Sequence, residues 1–243
     1  MIFRKPVFWI TATLLFIGGL FYSVQVFPKA FAILNVDLKM DREAAFSQSS
    51  TLAENNNWGP DNYNQVASFS HDTRTQNFVE LDAGGVEKVS SLMQDGLYHF
   101  YTWTVRHYRE HEPNETRISF TPAGDFYGFK ETLAETEKGA ALGAGEARVI
   151  AENFVHNETS IQLSEFEAIE TSEEVMPSER IDHTFVYQRT KEQIGDGFFR
   201  LELVVSGDKV TELKHFIKVP ETFSRRFEAV SYTHLTLPTN REV

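Results

Sequence analysis

The sequence predicts an α+β protein: an N-terminal transmembrane helix, then two tandem units, each a helix laid on an antiparallel sheet. Three observations carry this reading. Residues 6–28, PVFWITATLLFIGGLFYSVQVFP, run without a charge. The chain beyond them alternates helical stretches with short segments of period-two hydrophobicity, closed by Gly, Pro, Asn and Asp turns. Finally, Arg117-Ile118-x-Phe120 with Gly124-Asp125 returns 83 positions later as Arg200-Leu201-x-Leu203 with Gly207-Asp208, and Arg106 and Arg189 share that offset.

The uncharged run is 23 residues long, against about 20 needed to cross a bilayer as a helix. Arg4 and Lys5 precede it and an acidic bulk follows, so the positive-inside tendency places the N-terminus in the cytoplasm and the remainder outside. Trp9 and Tyr22 stand near its two ends, where interfacial aromatics are favoured. A signal peptide cleaved after Ala30-Phe31-Ala32 is the competing reading, but its apolar core would span only about 7–15 residues. Residues 1–28 are therefore read as an anchor, touching lipid through 7–27.

The first unit is placed at 29–138. Within it, 41–56 reads as a helix with Asp41 at the N-cap, ended by Asn56, Asn57, Gly59 and Pro60. YNQVASFS and TQNFVEL read as strands, GVEKVSSLMQD as a second short helix, and Tyr101 to Arg106 as a strand of alternating aromatic or β-branched and polar residues. TRISFTPAGDFYGF reads as a hairpin turning at Pro122 to Asp125. The second unit, 139–219, opens on the small-residue connector GAALGAG. A helix at 146–158 follows, then strands at 161–171, 181–190, 198–205 and KVTELKHFIKV. Residues 220–230 begin another helix, read as a connector. The stretch 29–41 reads equally as a linker or a first strand.

The net charge is −12; without Arg4 and Lys5, 21 bases stand against 35 acids, or −14. Such a surface repels phosphate backbones and argues against nucleic acid as a partner. Cysteine is absent, which excludes a disulfide framework, a thiol nucleophile and Cys-ligated zinc.

The motifs that suggest chemistry are weak on inspection. His107-Tyr-Arg-Glu-His111 has the His-x-x-Glu-His spacing of a zinc protease. The chemistry needs both imidazoles on adjacent turns of one helix, whereas the surrounding pattern is a strand, on which residues four apart lie about 13 Å from each other at roughly 3.3 Å per residue. Glu112-Pro113 then leaves a helix no room to continue. Asp182-His183 lacks a Gly-x-Ser-x-Gly elbow to supply a nucleophile. Gly143-x-Gly145 precedes a helix but lacks the third glycine and the lysine of a phosphate loop. Glu173-Glu174 falls in SEEVMPSER, read as an acidic solvated loop, and the aromatic run from Tyr98 to Trp103 is read as core before ligand groove. The expectation is no catalytic, cofactor or metal residue in this chain.

The last thirteen residues, SYTHLTLPTNREV, are not expected to continue the helix begun at Pro220. They resemble the translation of sequencing-adapter read-through, so 231–243 is read as an artefactual tail on a truncated frame.

FPKAFAILNVDLKMDREAA, NNWGP, FVELDAGG, YTWTVRHY, FTPAGDFYGF and RIDHTFVYQR together resemble the N-terminal exported region of bacterial intramembrane metalloproteases of the CAAX-protease and bacteriocin-processing (CPBP) family. The helix-on-sheet units resemble cystatin-like or PepSY-like modules. In the CPBP family the active site lies in a later multi-helix membrane domain carrying Glu-Glu-x-x-x-Arg. Here Glu173-Glu174 meets its arginine, Arg180, too late for that spacing, and no second apolar span exists, so no catalytic residue carries over. The resemblance implies a non-catalytic accessory region of the cell envelope, single-pass and mostly extracytoplasmic. It would sense, present peptide or membrane-protein substrate to, or control a metalloendopeptidase whose zinc or other divalent metal sits in the absent domain. The alternatives are a free-standing envelope module that binds peptides or proteins, and a soluble zinc hydrolase using His107, His111 and His183.

Overall fold

The computed structural model describes residues 6–30, 33 and 36–235. In chain order the elements are α1 (Pro6–Ala30), α2 (Arg42–Asn56), β1 (Asn64–His71), α3 (Thr73–Asp82), α4 (Gly85–Gln94), β2 (Tyr101–Tyr108), β3 (Glu115–Phe120), β4 (Phe126–Thr132), α5 (Ala144–Glu158), β5 (Phe166–Val175), β6 (Ile181–Ile194), β7 (Gly197–Ser206), β8 (Lys209–Lys218) and α6 (Glu221–Leu235). The eight strands form one antiparallel sheet in the order β1-β2-β3-β4-β8-β7-β6-β5. Each half is thus a helix followed by a four-stranded meander, and the last strand of each meander meets the other at the centre.

Pro6–Phe27 has a mean hydropathy of 1.9 and no burial against the rest of the chain, and is long and apolar enough to cross a membrane. Exposed Leu14, Leu15, Phe16 and Phe21 cost little in lipid and much in water.

α2 starts where Asp41 Oδ1 accepts the Ala44 N–H at 2.8 Å, supplying one of the bonds that a helix's first turn lacks. It stops at Asn57, whose φ of 53° is left-handed. Ala45, Ser49 and Ala53 face the sheet, and Ala147, Ala151 and Val155 of α5 do the same in the second half. Small side chains let both helices lie close to strands whose inward positions are large: Val105, Ile118 and Phe120 in one half, Phe185, Leu201 and Leu203 in the other. Trp58 stacks on Phe129 at 3.9 Å and reaches Phe154 of α5 at 6.3 Å, so one core runs under both halves.

A second core lies at the end of the sheet where β2 begins and β8 ends. Phe78, Val79, Val89, Leu92, Phe100 and Phe223 are its buried centre. It is built by α3 and α4, which interrupt the β1–β2 connection, and by α6. Here the expectation of a strand over TQNFVEL is corrected. Asp72 Oδ1 accepts the Thr75 N–H at 3.1 Å, and Thr75, Phe78 and Val79 are buried, a spacing of three and four that only a helix turns to one side.

Smaller corrections follow the same logic. Residues 163–165 are a 3₁₀ turn and the strand starts at Phe166, running through Glu173-Glu174. The acidic loop shrinks to the turn closed by Glu179 N–H to Met176 O at 2.9 Å. α6 runs on through Ser231 to Leu235, five residues into the segment expected to leave it; 236–243 lie outside the described residues. Residues 36–40 form no strand, although Met40 N–H donates to Pro122 O at 3.0 Å.

Candidate functional site

The two half-sheets are joined narrowly. β4 and β8 pair only at Phe129–Leu213 and Lys130–Glu212. The backbones are tight there: a Cβ on Gly128 would sit 2.4 Å from the Leu213 carbonyl oxygen. Toward the start of β4 and the end of β8 the strands part, and side chains occupy the opening. Tyr127 stacks on His215 with ring centres 4.6 Å apart. The His99 ring stands edge-on to Tyr127 at 5.2 Å, and the His99 backbone N–H donates to the Tyr127 hydroxyl at 3.3 Å. Beside them Tyr98 donates its hydroxyl to Asp72 Oδ2 at 2.7 Å.

Two cavities meet at this cluster. One, of about 710 Å³, extends to the end of α5 and the start of β5. The other, of about 380 Å³, extends over the uncovered face of the sheet past Thr104, Arg117 and Lys130. Tyr98, His99, Tyr127, Leu213 and His215 line both. The His99, Tyr127 and His215 rings are half-buried where they border open space, and Tyr98 is buried. Burial pushes the His215 pKa down to about 4, with His99 and Arg189 adding to the effect. Burial also lowers His99, against the pull of Asp125. It raises the Tyr127 and Tyr98 phenols. At neutral pH the site therefore presents uncharged imidazoles and protonated phenols. Each neutral imidazole offers one donor and one acceptor, and among the described residues no hydrogen bond occupies the ring nitrogens of His99 or His215.

The residues singled out in the sequence lie elsewhere. His107 is on β2, fully buried under α2. Its Nε2 meets Ser49 Oγ and Gln65 Nε2, each at 3.1 Å, and its ring stacks on Tyr63 at 4.0 Å. Burial lowers its pKa to about 4. His111 lies past the end of β2, exposed, with φ of 65°, so the two histidines share no helix. Asp182 and His183 are neighbours on β6 and point to opposite faces. Asp182 is bound by Arg180 at 2.8 and 3.1 Å, while His183 Nε2 meets the Leu142 carbonyl at 2.8 Å. Gly143 is the N-cap of α5, with its own N–H donated to Glu146 at 3.3 Å. Glu173 and Glu174 lie exposed on the edge strand. Among the described residues no group of three or more His, Cys, Asp or Glu is placed to hold a metal ion.

The aromatic run divides: Tyr98, Phe100 and Tyr101 belong to the second core, Tyr98 also reaching both cavities, while half-buried His99 faces the cavities. Tyr127 and His215 carry no mark in the sequence, because each sits in a strand with nothing local to distinguish it.

The class defined by fold and site is an α+β chain with one eight-stranded antiparallel sheet and a cavity at its centre. No family model, no curated protein and no solved structure matches it.

Proposed function

We propose that this chain is a membrane-tethered, extracytoplasmic, non-catalytic binding module of the bacterial cell envelope, with the central cavity as its ligand site. The observation that carries the reading is the cavity itself. About 710 Å³ lies within the volume range of small-molecule sites, which are concave and carry a small number of convergent polar groups that orient the ligand. His99, His215 and Tyr127 are such groups, with hydrogen-bonding capacity facing open space. Binding rather than catalysis is favoured because burial pushes the imidazole pKa values down, to about 4 for His215, which makes weak general bases at neutral pH. Resemblance to the CPBP exported region makes an intramembrane metalloprotease the partner that the module would inform or supply with substrate.

The full chain in lipid nanodiscs, screened by thermal shift against amino acids, short peptides and small aromatic compounds, tests the site. Ligands should raise the unfolding midpoint, and His215→Trp, which fills the cavity, should abolish the shift. Shifts of equal size in that variant would refute the assignment. Resequencing the gene beyond codon 228 from an independent template tests the tie to the protease. Apolar spans carrying Glu-Glu-x-x-x-Arg would support it, and a stop codon near residue 230 would leave a free-standing envelope module.

A further inference from the structure

One face of the sheet has no helix over it. α2 and α5 cover the face that carries Ile118, Phe129, Leu213 and Leu203. The intervening residues point the other way, and the strand register sets them in rows. In the first half one row reads Val66, Arg106, Arg117 and Lys130 from β1 to β4. Across the seam it continues as Glu212, Val204, Thr184 and Ser172 from β8 to β5. The next row holds Ser68, Thr104, Ser119 and Gly128 in the first half. In the second half it holds Lys214, Glu202, Val186 and Glu170.

The two halves of this face differ in charge. Arg106, Arg117 and Lys130 stand directly opposite one another, an arrangement of like charges that costs stability. Glu115 serves both arginines, and it is the one acid on the first half's face. On the second half acids outnumber bases. Glu170 and Glu174, on the outermost strand, have no ion-pair partner among the described residues.

The anchor restricts how a second copy can approach. α1 comes against α4, and Val36, just beyond α1, packs on the second core. The bilayer therefore lies at the strand end where β2 begins and β8 ends. Two copies in one membrane share a two-fold axis along its normal, and so along the strands. An axis across the strands would send the two anchors to opposite ends.

A two-fold along the strands, placed at the seam, lays β4 on the partner's β8, β3 on its β7 and β2 on its β6. Long side chains then meet short ones in both rows. Arg106 faces the partner's Thr184, and Arg117 the partner's Val204. One row on, Ser119 faces the partner's Glu202, and Gly128 the partner's Lys214. Lys130, which donates to Glu212 within its own chain at 2.6 Å, also faces the partner's Glu212. That contact is returned, as a two-fold interface requires. Arg117 lies one step along the strand from the partner's Glu202, so the basic half of each copy meets the acidic half of the other.

We propose that the uncovered face is the interface of a two-fold homodimer in the membrane, first half against second half. This rests on α1 being the membrane anchor and is independent of the central cavity. Eight strands at about 4.8 Å make a face roughly 38 Å wide, and six residues at about 3.3 Å give it roughly 20 Å of length. That is about 760 Å² per copy, close to the roughly 800 Å² each partner contributes to a standard interface.

The sequence contains no cysteine, so single ones can be introduced. The full chain is reconstituted in lipid vesicles as an equimolar mixture of Ser119→Cys and Glu202→Cys and treated with a short bismaleimide. Linked pairs should form in the mixture and be scarce with either variant alone. Sedimentation of the full chain in detergent micelles should show a dimer. Arg117→Glu and Glu202→Lys should each raise its dissociation constant at least about tenfold, as like charges across an interface do. Mixing the two variants should restore the dimer, because each then meets the opposite charge on the other. A fold defect confined to one chain would not be rescued in this way. A wild-type monomer, a dimer untouched by both substitutions, or a mixture that neither links nor recovers would overturn the interface. Alkaline carbonate extraction of the same vesicles reads the anchor separately. Release of the chain would overturn anchor and axis together, while retention without linked pairs would overturn the dimer alone.

Discussion

The two halves of the sheet follow one plan and diverge at one connection. Each has a covering helix, α2 or α5, and a four-stranded meander, and each buries a histidine from its second strand beneath that helix: His107 and His183, both fully buried with Nδ1 unpartnered. In the second half β5 passes to β6 through a short turn. In the first half the equivalent connection swells into α3 and α4, which build the second core and bring Tyr98 and His99 to the seam. The shared plan forms the scaffold, and the departure from it forms a wall of the candidate site. The difference teaches that where two halves share a plan, the element present in only one of them is the first place to look for function.

Matched truncations test that equivalence hardest. Ile118 and Leu201 occupy the repeated position and are both fully buried in the one core. Ile118→Ala and Leu201→Ala should each lower unfolding stability by about 2–5 kcal/mol in denaturant titrations, the range for deleting a buried aliphatic side chain. A loss confined to one of them would show that the halves do not share a core.

The pH dependence comes next. The His107 pKa is lowered in the folded state to about 4, against roughly 6.5 unfolded. The folded chain therefore binds fewer protons, and stability falls as pH drops from about 6.5 toward 4. The full window corresponds to about 3 kcal/mol at 1.36 kcal/mol per unit. His107→Gln, which keeps a polar group beside Ser49, should flatten that slope in unfolding curves collected across the window. An unchanged slope would move the acid sensitivity to His215, which is lowered over the same range.

Gly128 sharpens the contrast between seam and periphery. Gly128→Ala should cost about 1–3 kcal/mol, as overpacking does, because the new methyl meets the Leu213 carbonyl. Gly145, in the first turn of α5, has nothing within 4 Å of an added Cβ, and Gly145→Ala should be neutral or slightly stabilising. Parallel melting curves read both.

The smallest effect separates the helix starts. Asp41→Ala removes the cap of α2 and should cost about 1 kcal/mol. Gly143, which caps α5 without a side chain, should change by only a few tenths on replacement by Ala.

Much of this fold was legible. The apolar run, the Asp41 cap, the Tyr101–Arg106 alternation and the turn at Pro122 to Asp125 are local signals with local causes. Arg106 and Arg189 lie on second strands and Arg117 and Arg200 on third strands of the two half-sheets, although Arg106 pairs with Arg117 while Arg200 pairs with Gln188. What failed depended on distant partners. Residues 73–82 turn as a helix because Phe78 has Phe223 to pack against, at 5.3 Å and far along the chain. The seam rests on two residue pairs with no signature in either strand. The cavity draws its polar groups from segments that only the closed sheet brings together, so His215 reads in sequence as one more strand residue.

β8 forms one side of that seam and passes directly through Val219 and Pro220 into α6, which is fastened by Phe223 in the second core and by Arg226 on Asp82. A tug on α6 is therefore delivered to the strand that closes the sheet with the fewest rungs. The narrowest pairing in the sheet and the mouth of its cavity lie on the same line.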